Sequence, residues 1–338
     1  MRLAFGVFCL GSALVAGLAA QDTGAPPPPA AKKGGGRRPK PGVSTAGVKR
    51  DMSTITPAAV FAIEGTPDWQ VLTADAVWVA NGPKNTIHRL DPATNTVVAT
   101  VEVGKKPCSG LTEGFGSIWV PNCTDKTISR VDEKTNQVVA TVPVGPAQSE
   151  GGITTGAGSV WIVSDRLGKL SRIDPKENKV TAEIAVPANS AACLFAEGAV
   201  WITTPERGML TRVDAASNQV TDSIAVGPQP RFLTAGAGAI WTLNQGDGTV
   251  SRVDAATRKV AATIEVGIPG TGGEIAFGNG HVWATVFTIP LSEIDPATNQ
   301  VVRQWVGAGG DSVRVGHGSV WLSNLQAQNV WRIDLNKF

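Results

Sequence analysis

Residues 152–184 contain four short segments: Gly152-Ile153-Thr154-Thr155, Ser159-Val160-Trp161-Ile162-Val163, Lys169-Leu170-Ser171-Arg172-Ile173 and Lys179-Val180-Thr181-Ala182-Glu183-Ile184. Each is rich in β-branched residues and too short for a helix, so each reads as a strand. Gly156-Ala157-Gly158 joins the first two with the positive φ that a tight hairpin requires. Asp174-Pro175-Lys176-Glu177-Asn178 joins the last two, with Asp opening a turn and Asn tolerating the left-handed position that ends it.

The same unit recurs along the chain. A small residue (His281 in the sixth unit), a β-branched residue and Trp stand together at Trp78, Trp119, Trp161, Trp201, Trp241, Trp283 and Trp321, with spacings of 41, 42, 40, 40, 42 and 38 residues. Four short antiparallel strands every ~40 residues are the pattern of a propeller blade, and seven units are enough to close a ring. The expected fold is an all-β seven-bladed propeller over residues 55–338. The last unit ends after its third strand, near Asp334, while an orphan strand, Ala59-Val60-Phe61-Ala62-Ile63-Glu64-Gly65, precedes the first. Pairing the two would remove both open edges, so the seventh blade is expected to take its outermost strand from the N-terminal side.

The remainder of the 338 residues is of another kind. Met1–Ala20 carries Arg2, an apolar run ending at Leu18 and the small residues Ala19-Ala20, the pattern of a secretory signal. A periplasmic or secreted location follows as an expectation. Residues 21–54 are rich in Pro, Gly and basic side chains and read as a disordered spacer. Between residues 21 and 50 there are seven Lys or Arg against Asp22, a charge of +6; subtracting this and Arg2 from the formal net charge of +2 leaves the rest at −5. A basic arm on an acidic body suits adhesion to an anionic envelope surface, or else is a solvated spacer. A body of net negative charge does not suit nucleic acid. The expected species is a monomer whose partner is a protein, a glycan or a small molecule.

Recurrent residues describe the scaffold. The repeated Trp suits packing between blades, and Asp91, Asp132, Asp174, Asp214, Asp254, Asp295 and Asp334 suit turn capping rather than a metal site. Arg stands two residues before each Asp except at Glu293 and is expected along a blade face. Cys108 and Cys123 flank the hairpin turning at Phe115-Gly116; their numbers sum to 231, which places them opposite each other and predicts a disulfide. Cys193 occupies a core position of a first strand. No Cys/His spacing for zinc is present.

Function is sought where the repeat is broken at the channel mouth. Aligning the units on Trp brings Asp68, Trp69, Cys108, Glu150, Ser190, Arg231, Phe232, Glu274 and Asp311 there, with Asn81, Asn122, Asn244 and Asn324 from the ends of second strands. Glu150, Glu274, Asp311 and Asp68 suit an oxygen-liganded Ca²⁺ or Mg²⁺. Arg231, Trp69 and Phe232, with the Asn amides, suit a small anionic or aromatic ligand. Plain hydration of the mouth is the third reading.

Val131-Asp132-Glu133-Lys134-Thr135-Asn136-Gln137-Val138-Val139-Ala140-Thr141-Val142-Pro143-Val144-Gly145 and Ile294-Asp295-Pro296-Ala297-Thr298-Asn299-Gln300-Val301-Val302 resemble the YVTN-type β-propeller repeat family. The Gly-Ser-Val-Trp hairpins are similar to the propellers grouped with virginiamycin B lyase (streptogramin lyase). That resemblance implies a Mg²⁺-dependent lyase with channel-facing His and Glu, or a lactone-opening hydrolase. His88 falls on a third strand, and His281 and His317 fall at Gly-rich turns on the opposite face, so no His is expected at the mouth. The reading drawn from the sequence is a non-catalytic binding module, with the lyase as its alternative.

Overall fold

The computed structural model describes residues 42–338. The signal and most of the basic spacer lie outside these residues. Seven antiparallel sheets follow one another in a ring, each built from strands in the order expected: blade 1 from Pro67 to Glu102, and blades 2 to 7 from Thr112, Ile153, Cys193, Pro230, Ile275 and Val313 onwards. The third blade comprises Ile153–Gly156, Ser159–Asp165, Lys169–Asp174 and Lys179–Ala185, within two residues of the segments read from the sequence. Ala157 and Gly158, both at positive φ, form its first turn.

Blade 7 is closed as expected. Ala59–Ala62 pairs antiparallel with Asn329–Asp334, Phe61 standing opposite Val330. Phe61 and Ile63 are buried there, with the Phe61 ring 5.6 Å from that of Trp321.

The spacer boundary at residue 54 requires correction. Residues 42–54 lie against blades 5 and 6: Gly42 N–H donates to Gly267 O (2.9 Å) and Val43 N–H to Gln304 Oε1 (2.8 Å). Lys49–Asp51 then adds a fifth, parallel strand to the outer edge of blade 6. Val43, Met52 and Ile55 are buried. Backbone pairing to an open sheet edge supplies the order here, and three isolated apolar residues in a polar stretch carry little periodic signal.

All seven repeated Trp are fully buried. In six, the indole N–H donates to a carbonyl five residues earlier, from Gly114, Gly156, Ala196, Gly236, Gly278 or Gly316. In blade 1 the equivalent carbonyl, Thr73, instead pairs with His317 Nε2 (3.0 Å), and Trp78 Nε1 has no partner.

Each repeated Arg stands opposite its Trp across the second and third strands, with the guanidinium carbon 4.7–6.0 Å from the ring centroid. It then reaches the next blade and donates to the Asn of that blade's last turn: Arg89 to Asn136, Arg130 to Asn178, Arg172 to Asn218, Arg252 to Asn299 and Arg332 to Asn95. The last of these joins blade 7 to blade 1. Arg212 lacks the contact because Arg258 occupies the corresponding left-handed position (φ 61°), and Arg212 turns to Thr221. Six of the seven turn Asp residues cap as expected; Asp132, for example, accepts from Lys134 N–H, Thr135 N–H and Thr135 Oγ1, whereas Asp334 makes no capping bond and accepts instead from Ser319 Oγ (3.3 Å).

The Cys108–Cys123 disulfide is present, with Cα atoms 6.0 Å apart. Its register differs from the one read from the sequence. The sum of 231 holds from Thr112↔Trp119 to Gly114↔Ser117, but Pro107 pairs with Asn122 beyond an irregularity, so the cysteines are offset rather than directly opposed. Cys193 is a buried free thiol.

Candidate functional site at the channel mouth

The residues that line the channel are set by their distance before the repeated Trp. Ten residues before it stand Asp68, Ser109, Gly151, Ala191, Arg231, Gly273 and Asp311, in blades 1 to 7. Three of the seven are charged, and each of these is held by a hydroxyl from the preceding blade. Ser323 Oγ donates to Asp68 O (2.9 Å), Thr203 Oγ1 to Arg231 O (2.9 Å) and Thr285 Oγ1 to Asp311 O. These hydroxyl residues all lie two positions after a Trp. The other four blades carry Ala80, Pro121, Val163 and Leu243 at that position, and the residue that follows in the mouth layer is small and uncharged. This pairing of a hydroxyl in one blade with a charge in the next is a sequence signal that reading single repeats misses.

Asp68, Glu150, Arg231 and Asp311 border one hollow of about 410 Å³, together with Phe232 and Phe287. Asp68 and Glu150 also border an adjoining hollow of about 430 Å³ beside Lys106 and Pro107. Blades 1, 3, 5 and 7 therefore meet at a single place. Glu150 occupies a left-handed backbone position (φ 61°) unusual for Glu, which costs of order 1 kcal/mol. Arg231 Nη2 donates across the mouth to Ser149 O (3.0 Å), beside it.

Burial pushes the carboxyl of Asp68 well above the usual carboxylate range, reinforced by the charges of Asp311 and Glu150. The Asp311 carboxyl is also raised by burial, opposed by the Gly273 N–H and by a hydrogen bond with Asp68. The hydrogen bond from the Asp68 carboxyl to Asp311 acts in opposite directions on the two groups, raising Asp68 and lowering Asp311. Burial and the charge of Asp311 push Glu150 up to about 7, against the pull of Arg231.

Several expected site residues do other work. Trp69 and Phe232 are buried against each other across the ring, their centroids 5.6 Å apart in an edge-on arrangement, and form the floor of the mouth. The four Asn are buried and pin the scaffold. Asn81 bonds Glu64 O and Thr66 N–H; Asn122 and Asn244 each donate to two hydroxyls of the following strand; Asn324 accepts from Gly310 N–H. Each also lies directly under a glycine of the incoming loop: Gly65, Gly104, Gly227 or Gly309, where a Cβ would fall within 2.5 Å of the amide.

Of the four carboxylates expected to hold Ca²⁺ or Mg²⁺, Glu274 does not join the other three. Glu274 points away from the mouth hollow into an ion pair with Arg314 (2.5 Å), and its other oxygen accepts from Ser312 Oγ (2.5 Å) and Val313 N–H (3.2 Å). Among the described residues, no group of three or more His, Cys, Asp or Glu is placed to hold a metal ion. The histidines are elsewhere, as expected: His88 bonds Asn81, Thr86 and Thr100, His281 faces Glu293 at 3.5 Å, and His317 meets Thr73.

This ring of blades matches solved propellers. A streptogramin B lyase structure superposes with a TM-score of 0.68 at 17% identity, covering 81% of this chain and 96% of that one. Virginiamycin B lyase from Staphylococcus aureus gives 0.69 at 15% identity, covering 82% and 98%. The likeness is one of fold. The computationally designed Ika8 protein matches as well, with a TM-score of 0.61 at 13% identity over 81% of this chain and 99% of that one. No protein-family model and no curated protein matches the sequence.

Proposed function

We propose that the protein is a non-catalytic binding module of the cell envelope or exterior that takes its ligand at the channel mouth. The observation that carries this reading is the convergence of Asp68, Glu150, Arg231 and Asp311 from four different blades on one hollow. Three of them are positioned by a hydroxyl that the other blades lack. Burying several carboxyls beside one another costs stability, and the ring closes without their help. Such a cost is characteristic of functional sites. A ligand bearing hydroxyl or ammonium donors would bond the carboxyls and lay an apolar face on Phe232 and Phe287. A glycan or a small amine has that chemistry.

The lyase alternative draws no support from these residues, because all three histidines are engaged away from the mouth. Export is supported by the Cys108–Cys123 disulfide, which suits an oxidising compartment. No helix among the described residues is long and apolar enough to cross a membrane. Contact between the basic arm and an anionic surface remains part of the proposal.

A thermal-shift screen of oligosaccharides and small amines tests the reading on wild type and on Glu150→Gln and Arg231→Ala. Compounds that stabilise the wild type should lose most of their effect on at least one variant. If every stabilising compound acts equally on all three proteins, the mouth is not the site.

A further inference from the structure

Beneath the floor formed by Trp69 and Phe232 lies a second cavity, of about 210 Å³, that has no part in the mouth reading. It exists because of what stands in the layer nine residues before each Trp. Blades 1 and 5 fill that layer with Trp69 and Phe232, while blades 2, 3 and 4 supply only Gly110, Gly152 and Ala192. The side opposite the two rings is left hollow, and Leu111, Ile153, Leu194 and Leu233 give it apolar walls.

The polar groups bordering this cavity are unbalanced toward donors. Trp69 is 5% exposed and its indole N–H has no acceptor anywhere in the described chain. Arg314, whose side chain is 24% exposed, donates from Nη1 to Val313 O (2.7 Å) and pairs with Glu274 Oε1 (2.5 Å). Glu274 offers no compensating acceptor, since both its oxygens are committed to Arg314, Ser312 and Val313. Thr154 already accepts from Phe195 N–H, and the thiol of Cys193 donates to Gly152 O. Buried N–H groups without an acceptor are rare in proteins, and each calls for a partner from outside the chain. Arg314 and Trp69 line the same cavity, and a guanidinium together with an indole N–H suits a carboxylate.

We infer that this channel cavity is a binding site for a short-chain monocarboxylate, held by the Arg314 guanidinium and the Trp69 indole N–H with its alkyl end against the leucine and isoleucine walls. Water is the competing occupant. The space holds about seven molecules at ~30 Å³ each, so it limits the acid to a few carbons.

Sodium propionate, titrated into the full chain, is the probe, with propionamide as its uncharged isostere. The readout is the Trp69 indole ¹H–¹⁵N resonance, assigned by its loss in Trp69→Phe. Propionate should shift that resonance saturably, and propionamide should bind at least about tenfold more weakly, because it lacks the second charged oxygen. Arg314→Lys keeps a cation for Glu274 but removes the second guanidinium edge. It should weaken propionate at least about tenfold. Thermal melts establish that the variants are folded, and Trp69→Phe retains the ring that packs on Phe232. The inference is overturned if propionate causes no saturable shift, if propionamide binds equally well, or if folded Arg314→Lys binds propionate as wild type does.

Discussion

Phe61→Ala tests the closure of the ring from within the strand that closes it. Phe61 lies on the four-residue strand that the N-terminal side lends to blade 7, is 3% exposed, and packs its ring on Trp321. Removing a buried phenyl group costs about 3–5 kcal/mol, from lost transfer energy and the cavity left behind. For a domain of this size, 1 kcal/mol moves the melting temperature by about 2 °C, so a loss of about 6–10 °C is expected by calorimetry. The neighbouring Val60 points outward at 55% exposure, which makes Val60→Ala the internal control. That substitution should change stability by no more than about 0.5 kcal/mol. If Phe61→Ala lowers the melting temperature no more than Val60→Ala does, the borrowed strand does not hold the ring closed.

Glu150→Gln should stabilise the protein in a pH-dependent way. A carboxyl raised from 4.5 to about 7 in the folded chain destabilises wild type progressively as pH rises through that window, and fully above it. The variant should match wild type near pH 4.5 and gain at most about 3 kcal/mol at pH 8, seen as a melting temperature higher by about 5 °C. An equal gain at both pH values would refute the titration account. Arg258→Asn should stabilise by about 1 kcal/mol in denaturant melts. Asn suits the left-handed position at φ 61° and supplies Arg212 with the acceptor that the other blades provide, while only an exposed ion pair with Asp222 is lost. Destabilisation would show that the Arg–Asn contacts between blades contribute nothing.

Much of the fold was legible because each of its causes repeats. Trp, the turn Asp and the hairpin glycines act within one blade, so a single unit read seven times reveals them. The missing strand of blade 7 was visible for the same reason, as a gap in a pattern. Contacts between blades were harder. A single repeat places the Arg along a blade face, whereas in four blades it also reaches an Asn some 47 residues ahead, and only the closed ring places Arg332 beside Asn95. For the Asn of the second strands, alignment gives height along the ring but not direction. The packing of loop glycines on their amides turns them into pins. At the mouth, Asp68, Glu150, Arg231 and Asp311 were legible as breaks in the repeat. The engagement of Glu274 is not legible in one repeat, because its partner, Arg314, belongs to the next blade.

The central claim is that carboxyl groups from separate blades meet at the mouth and interact there. The most direct measurement is a ¹³C NMR titration of the side-chain carboxyls of Asp68, Glu150 and Asp311 in the folded protein. The account expects Glu150 to titrate near 7, and Asp68 to hold its proton well above the ordinary carboxylate range, with Asp311 responding to the same proton. Three independent titrations at ordinary carboxylate values would contradict it, since carboxyls that behave so would be solvated and apart.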